Sequence, residues 1–300
     1  MFRTVNELLN LSEEKGKPIA QIVIEKQAQT SGNTIEEIRN EMLKNLKTME
    51  AAIEKGIQGV ETLSKKSKNN GKLLNDYLAR GNYLVGDTFV KAICYAVATN
   101  EVNASMGIIC ATPTAGSAGV LPAVLFSIKD KLQMNQNDCL DFLFAAGGFG
   151  LCIANSASIS GAAGGCQAEI GSASAMAAAA TVLAAKGTNQ QAASALSLAL
   201  KNMLGLVCDP VAGLVEIPCI TRNAAGASNA LTSAEMALAG IISIIPADET
   251  IQAMKEVGDR MHPDFKETGR GGMATTKTGL AIEQEIFGGK GPNAITTIVL

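Results

Sequence analysis

Between Phe142 and Val207 the chain carries only three charged side chains, Glu169, Lys186 and Lys201. A stretch this poor in charge cannot present an ordinary surface to water, so the fold must enclose it on almost every side. Residues 1–80 differ sharply, with 13 Lys or Arg and 11 Asp or Glu. The sequence therefore predicts a charged N-terminal segment, residues 1–80, packed on a core formed by residues 81–300. Residues 142–168 lack charge altogether and are long enough to cross a bilayer. Six glycines, Asn155, Ser156, Ser158 and Ser160 interrupt them, and Glu169 follows at once. Closely packed helices inside a soluble protein account for that composition better than a lipid-facing span.

Helical signals dominate. Thr34-Ile-Glu-Glu37 has the form of a capping box. After it Ile35, Ile38, Met42, Leu46, Met49 and Ile53 recur at helical spacing. A second helix is predicted from Ile19 to Gln29, ending near Ser31-Gly32. Lys65 to Lys72, with Asn69-Asn70-Gly71, reads as a solvated connector. Further helices are predicted over Phe89–Thr99, Val120–Leu132, 138–154, 171–186 and 189–206. The run 171–186 holds eight alanines, which cost little entropy in a helix and let helix axes approach closely. Runs rich in Val, Ile and Thr between turns scarcely occur, and GxGxxG and P-loop fingerprints are absent. The predicted fold class is mainly α: a compact bundle of Ala/Gly-rich buried helices with a charged helical N-terminal segment.

A net charge of −3 gives no reason to expect nucleic acid or an anionic membrane as partner. The start, Met-Phe-Arg-Thr-Val-Asn-Glu, shows no apolar signal region. Seven cysteines fit reduced thiols in a cytoplasm better than a disulfide framework.

Three of these cysteines stand apart. Cys166, Cys208 and Cys219 lie in turns marked by glycine or proline, within Gly-Ala-Ala-Gly-Gly-Cys166-Gln-Ala-Glu and Cys208-Asp-Pro-Val-Ala-Gly-Leu-Val-Glu-Ile-Pro-Cys219. Thiolates are soft ligands suited to iron–sulfur clusters, and glycines let backbone approach a bulky group. Buried cysteines also serve as small apolar residues, the reading given to Cys94, Cys110, Cys139 and Cys152. There is no Cys-x-x-Cys, so spacing alone leaves both readings open for the three. Thr112-Pro-Thr-Ala-Gly-Ser-Ala-Gly119 precedes an apolar helical run. Its free N–H groups and hydroxyls suit a carboxylate or phosphate, or else form an ordinary helix start.

Several segments together resemble the α-subunit of the iron–sulfur-dependent L-serine dehydratases. They are Asn103-Ala-Ser-Met-Gly, Pro113-Thr-Ala-Gly-Ser-Ala-Gly, Asn155-Ser-Ala-Ser-Ile-Ser-Gly-Ala-Ala-Gly-Gly-Cys166-Gln-Ala-Glu169, the Cys208–Cys219 segment and Lys266-Glu-Thr-Gly-Arg-Gly-Gly-Met-Ala274. The resemblance runs from about residue 20 to near the end. It implies a [4Fe–4S] cluster on Cys166, Cys208 and Cys219, with the fourth iron free for the substrate hydroxyl. It implies elimination from L-serine to pyruvate and ammonia, with Thr112, Thr114, Gly116, Ser117 and Gly119 cradling the substrate carboxylate. Asn155 and Ser160 are expected to orient ligands. The general base is expected from a β-subunit, since the sole histidine, His262, falls outside these motifs. Where some relatives carry Glu, this chain has Ala163. Where some single-chain relatives end in a cysteine, it reads Ile-Val-Leu300, so control by such a tail is not expected. A cysteine desulfidase-like lyase and a non-catalytic helical scaffold are the competing readings. A pyridoxal-phosphate enzyme fits less well, because Lys129 and Lys201 lack a phosphate-loop context.

Overall fold

The computed structural model describes residues 2–288, so Ile-Val-Leu300 lies outside the described residues. These hold thirteen α-helices and no strand: α1 Val5–Lys15, α2 Ile19–Ser31, α3 Ile35–Gln58, α4 Asn70–Ala79, α5 Asp87–Ala104, α6 Val120–Ile128, α7 Gln136–Ser156, α8 Gly161–Gly164, α9 Ser172–Ala184, α10 Asn189–Met203, α11 Cys219–Leu238, α12 Ala247–Arg260 and α13 Lys277–Phe287. The mainly α reading and its predicted helices hold to within a few residues at most ends. Thr34 does form a capping box with Glu37, and Gly32 ends α2 in the left-handed region.

Two helices act as hubs. α5 packs against α3, α4, α6 and α11, while α9 packs against α6, α7, α10 and α11. In α9 every residue from Ser172 to Val182 is buried. Small side chains make this possible, since alanine on all faces lets several neighbours approach at once. The closest approach is at Ala98 of α5. A Cβ on Gly56 would stand 2.3 Å from the Ala98 carbonyl oxygen, and one on Gly71 would stand 2.8 Å from its Cα. Only glycine fits at either position.

That contact corrects part of the reading of Lys65–Lys72 as a solvated connector: its lysines are exposed, but the segment is more than a connector. Its second half starts α4, with Gly71 buried. Asn69 makes no side-chain cap, and the buried Glu101 of α5 takes its place, accepting from the N–H groups of Asn70 at 2.9 Å and Gly71 at 2.8 Å. The first half is tied down too. Glu216, just before Cys219, accepts from Thr62 Oγ1 at 2.6 Å and the Ser67 N–H at 2.8 Å. α7 is the one helix among the described residues long and apolar enough to cross a membrane. It packs instead against α2, α3 and α9.

Candidate metal and substrate centre

The three marked cysteines reach one place from three irregular segments. Cys166 follows α8 and Gly165, whose φ of 76° needs glycine. It opens a π-turn, Gln167–Gly171, that runs straight into α9. Such turns widen a helix locally and recur at functional sites. Gln167 pins the next segment, since its N–H donates to the Leu206 carbonyl and its Oε1 accepts from the Gly205 N–H, each at 2.9 Å. Cys208 pairs with the 265–267 strand-like segment. Its N–H donates to the Phe265 carbonyl, and its carbonyl accepts from the Glu267 N–H, both at 2.8 Å. Cys219 is the first residue of α11, and its carbonyl accepts from Asn223 Nδ2 at 2.9 Å.

Cys166 Sγ, Cys208 Sγ and a Glu169 carboxylate oxygen all lie within 4.8 Å of one another, and all three residues are buried. Cys219 flanks this group and is buried with it, close enough for its thiol to feel Cys166, Glu169 and Glu267. Gly161 makes the room: a Cβ there would stand 2.9 Å from Cys208 Sγ, 3.3 Å from Glu267 Oε2 and 3.4 Å from Glu169 Oε2.

The neighbouring Cys208 thiol holds Cys166 below the usual thiol range; burial opposes this and the Arg222 guanidinium assists. The same contact pushes Cys208 up, and burial pushes up Cys219. The other cysteines behave differently. Burial alone lifts Cys94 to about 12 and is the main cause lifting Cys152 to about 12, as expected of thiols packed as apolar groups. Arg222 Nη1 stands 3.7 Å from Cys166 Sγ, 2.8 Å from the Val207 carbonyl and 2.7 Å from Asp209 Oδ1. Asp209 also accepts from the Met273 N–H at 2.7 Å, which ties the 272–275 turn to the site.

The 112–119 loop joins the thiols through Thr114, whose Oγ1 donates to Glu169. Three asparagines fix it. Asn100 and Asn223 donate to the Gly116 carbonyl at 3.0 and 2.7 Å, and Asn103 donates to that of Ala115 at 3.0 Å. Ser117 is fully buried and donates to the Thr112 carbonyl at 3.1 Å, so its hydroxyl shapes the loop from within. The Gly119 N–H is spoken for by Asn223 Oδ1 at 3.0 Å. Among the described residues nothing accepts from the N–H groups of Gly116 and Ser117, although both residues are buried. The buried Thr112 Oγ1 likewise has no partner. Unfilled donors in a buried loop suit an anionic ligand.

Of the predicted residues, the structure brings Cys166 and Cys208 together, sets Thr114 and Gly116 against Glu169, leaves Cys219 buried beside them, and keeps Thr112, Ser117 and Gly119 in the same loop as Thr114. Ser160 caps α8 by accepting from the Ala163 N–H at 3.3 Å. Asn155 is not brought to the thiols; it is exposed at the end of α7 and donates to the Arg3 carbonyl at 3.3 Å. His262 is exposed beside Asp264. Sequence reasoning missed Glu169, Arg222, Asn223, Asp209 and Glu267 as site residues. Glu169 carried a usable signal, as the lone carboxylate in the charge-poor stretch.

A family model, Serine dehydratase alpha chain, matches residues 14–274. A probable L-serine dehydratase alpha chain of Bacillus subtilis is 54% identical over 96% of both chains. The L-serine dehydratase alpha chain of Peptoniphilus asaccharolyticus is 43% identical, over 96% of this chain and 99% of its own. An L-serine dehydratase of Streptomyces coelicolor is 38% identical, but 91% of this chain covers only 60% of it.

Proposed function

The chain belongs to the serine dehydratase alpha chain family, and from that premise we propose that it converts L-serine to pyruvate and ammonia. The observation that carries this reading is the meeting of Cys166, Cys208 and Glu169 within 4.8 Å, joined by Thr114 to a loop with unfilled buried donors. Cys166, Cys208 and Cys219 would hold a [4Fe–4S] cluster. The donor set fits: Cys166 and Cys208 meet in one place with Cys219 buried beside them, and Cys166 is already shifted toward thiolate. When bound, the cluster supplies a Lewis acid for the substrate hydroxyl, with no change of oxidation state.

The residues of the chain do the rest of the positioning. We assign the Gly116 and Ser117 N–H groups and Thr112 Oγ1 to the substrate carboxylate because no protein group partners them, while Ser117 and Asn223 hold the loop in shape. Enclosure among α5, α9 and α11 keeps bulk water from competing. Loss of the α-proton and the β-hydroxyl releases water and leaves aminoacrylate, which tautomerises and takes up water to give pyruvate and ammonia. The α-proton needs a general base. We assign it to a partner β chain, because His262 is exposed and the longer Streptomyces relative carries sequence beyond the part that this chain covers. The seven cysteines, all free, support a cytoplasmic location.

The test is anaerobic reconstitution with iron and sulfide, with and without the β chain, following pyruvate release. Expected are bound iron, acid-labile sulfide and turnover of L-serine. Turnover of L-cysteine in preference to L-serine would favour the desulfidase-like alternative. Bound iron with no turnover of either amino acid would leave a scaffold role.

A further inference from the structure

Two carboxylates enter the thiol site, and no cation stands opposite either among the described residues. Glu169 comes from the π-turn and is held by the Thr114 hydroxyl. Glu267 comes from the segment paired with Cys208, its N–H donating to the Cys208 carbonyl at 2.8 Å, and its carboxylate lies near the Ala162 N–H. Their Oε2 atoms face the same small space above Gly161, as the 3.3 and 3.4 Å distances to its missing Cβ show. Gly116 opens the other side: a Cβ there would stand 2.5 Å from Glu169 Oε1. Arg222, the cation beside Cys166, is already taken up by Asp209, the Val207 carbonyl and Cys166.

Setting one buried acid, Glu169, and one half-buried acid, Glu267, beside thiols is unfavourable unless a cation joins them. The missing cation must be small and must offer several donors to acceptors on different sides. An ammonium group does so, with three N–H donors. We propose that Glu169 and Glu267 bind the α-ammonium group of the amino-acid substrate. This rests on the dehydratase reading above and adds to it the reason for choosing amino acids over hydroxy acids. The carboxylate lies against the 112–119 loop and the ammonium against the two acids, so the side-chain hydroxyl is turned toward the thiols.

The experiment uses the anaerobic, iron-loaded enzyme with its β chain and two non-reacting probes, L-alanine and propanoate, which differ only in the ammonium group. Calorimetry on the wild type should show L-alanine bound at least about tenfold more tightly than propanoate. Glu267→Gln should erase that preference, leave propanoate binding unchanged, and raise KM for L-serine about tenfold or more at unchanged iron content. Glu169→Gln, which can still accept from Thr114, should act in the same direction. A preference for L-alanine that survives in both variants overturns the proposal. So does loss of iron from Glu169→Gln with the preference intact in Glu267→Gln, which would make Glu169 a metal ligand. A wild-type enzyme that loads iron but leaves L-serine untouched would instead remove the dehydratase reading, and this one with it.

Discussion

Helices α3 and α9 bury themselves in opposite ways. α3 hides a single stripe, Ile38, Leu46, Met49, Ala52, Ile53 and Gly56, and turns its Glu and Lys residues to water. α9 is covered on every face from Ser172 to Val182. On α3 apolar residues carry the information and polar ones are filler. In the region around α9 apolar residues are everywhere, so it is the polar and sulfur-bearing ones that mark where something happens. Cys166, Glu169, Asn223 and Glu101 are all buried, and each has a definite partner.

The largest expected effect tests whether that contrast holds among cysteines alone. Cys208→Ala should abolish iron and sulfide binding and all turnover, whereas Cys152→Ala, equally enclosed, should keep both. Equal iron content in the two variants would show that burial, and not position at the site, is what these thiols share.

Next is a pair of substitutions to leucine. Ala178→Leu in α9 forces new atoms into a filled space and should cost about 1–3 kcal/mol or more. Lys47→Leu on the exposed side of α3 should change stability by no more than about 0.5 kcal/mol. Denaturant midpoints at constant slope measure both. A small effect for Ala178→Leu would mean that α9 has slack its burial does not suggest.

The same contrast explains what could be read from sequence. Helices α1, α11, α12 and α13 went unpredicted, whereas α3 was legible from periodicity and α9 from alanine content. α4 was not, because its start is capped by Glu101 from another helix and not by a local residue. At the site, the cysteines and the 112–119 loop were legible as motifs. Glu267 and Arg222 were not, since their roles come from contacts with Gly161 and Cys166, far away in sequence. Asn155 misled for the converse reason: it adjoins the Cys166 motif, yet α7 ends with it pointing to Arg3.

Ser117 sharpens the point about buried polar groups. Its hydroxyl binds the Thr112 carbonyl and stands 3.1 Å from Thr114 Oγ1, so Ser117→Ala should act by loosening the loop. KM for L-serine is expected to rise about tenfold, worth about 1.4 kcal/mol, with kcat changed less. Unchanged KM would detach the loop from the carboxylate.

The smallest of the expected losses belongs to the exposed capping box of α3. Thr34 Oγ1 accepts from the Glu37 N–H at 3.2 Å, and Glu37 returns a bond to the Thr34 N–H at 2.8 Å. Thr34→Ala removes the first of these and should cost about 1 kcal/mol. Because α3 meets α5 at its far end, through Gly56 and Ala98, the loss should stay in the first turn. Hydrogen exchange should quicken at Glu37 and Ile38 while the amides near Gly56 keep wild-type protection. Faster exchange along the whole of α3 would mean that the helix is held by its cap as much as by its buried stripe, and the contrast with α9 would then be one of degree.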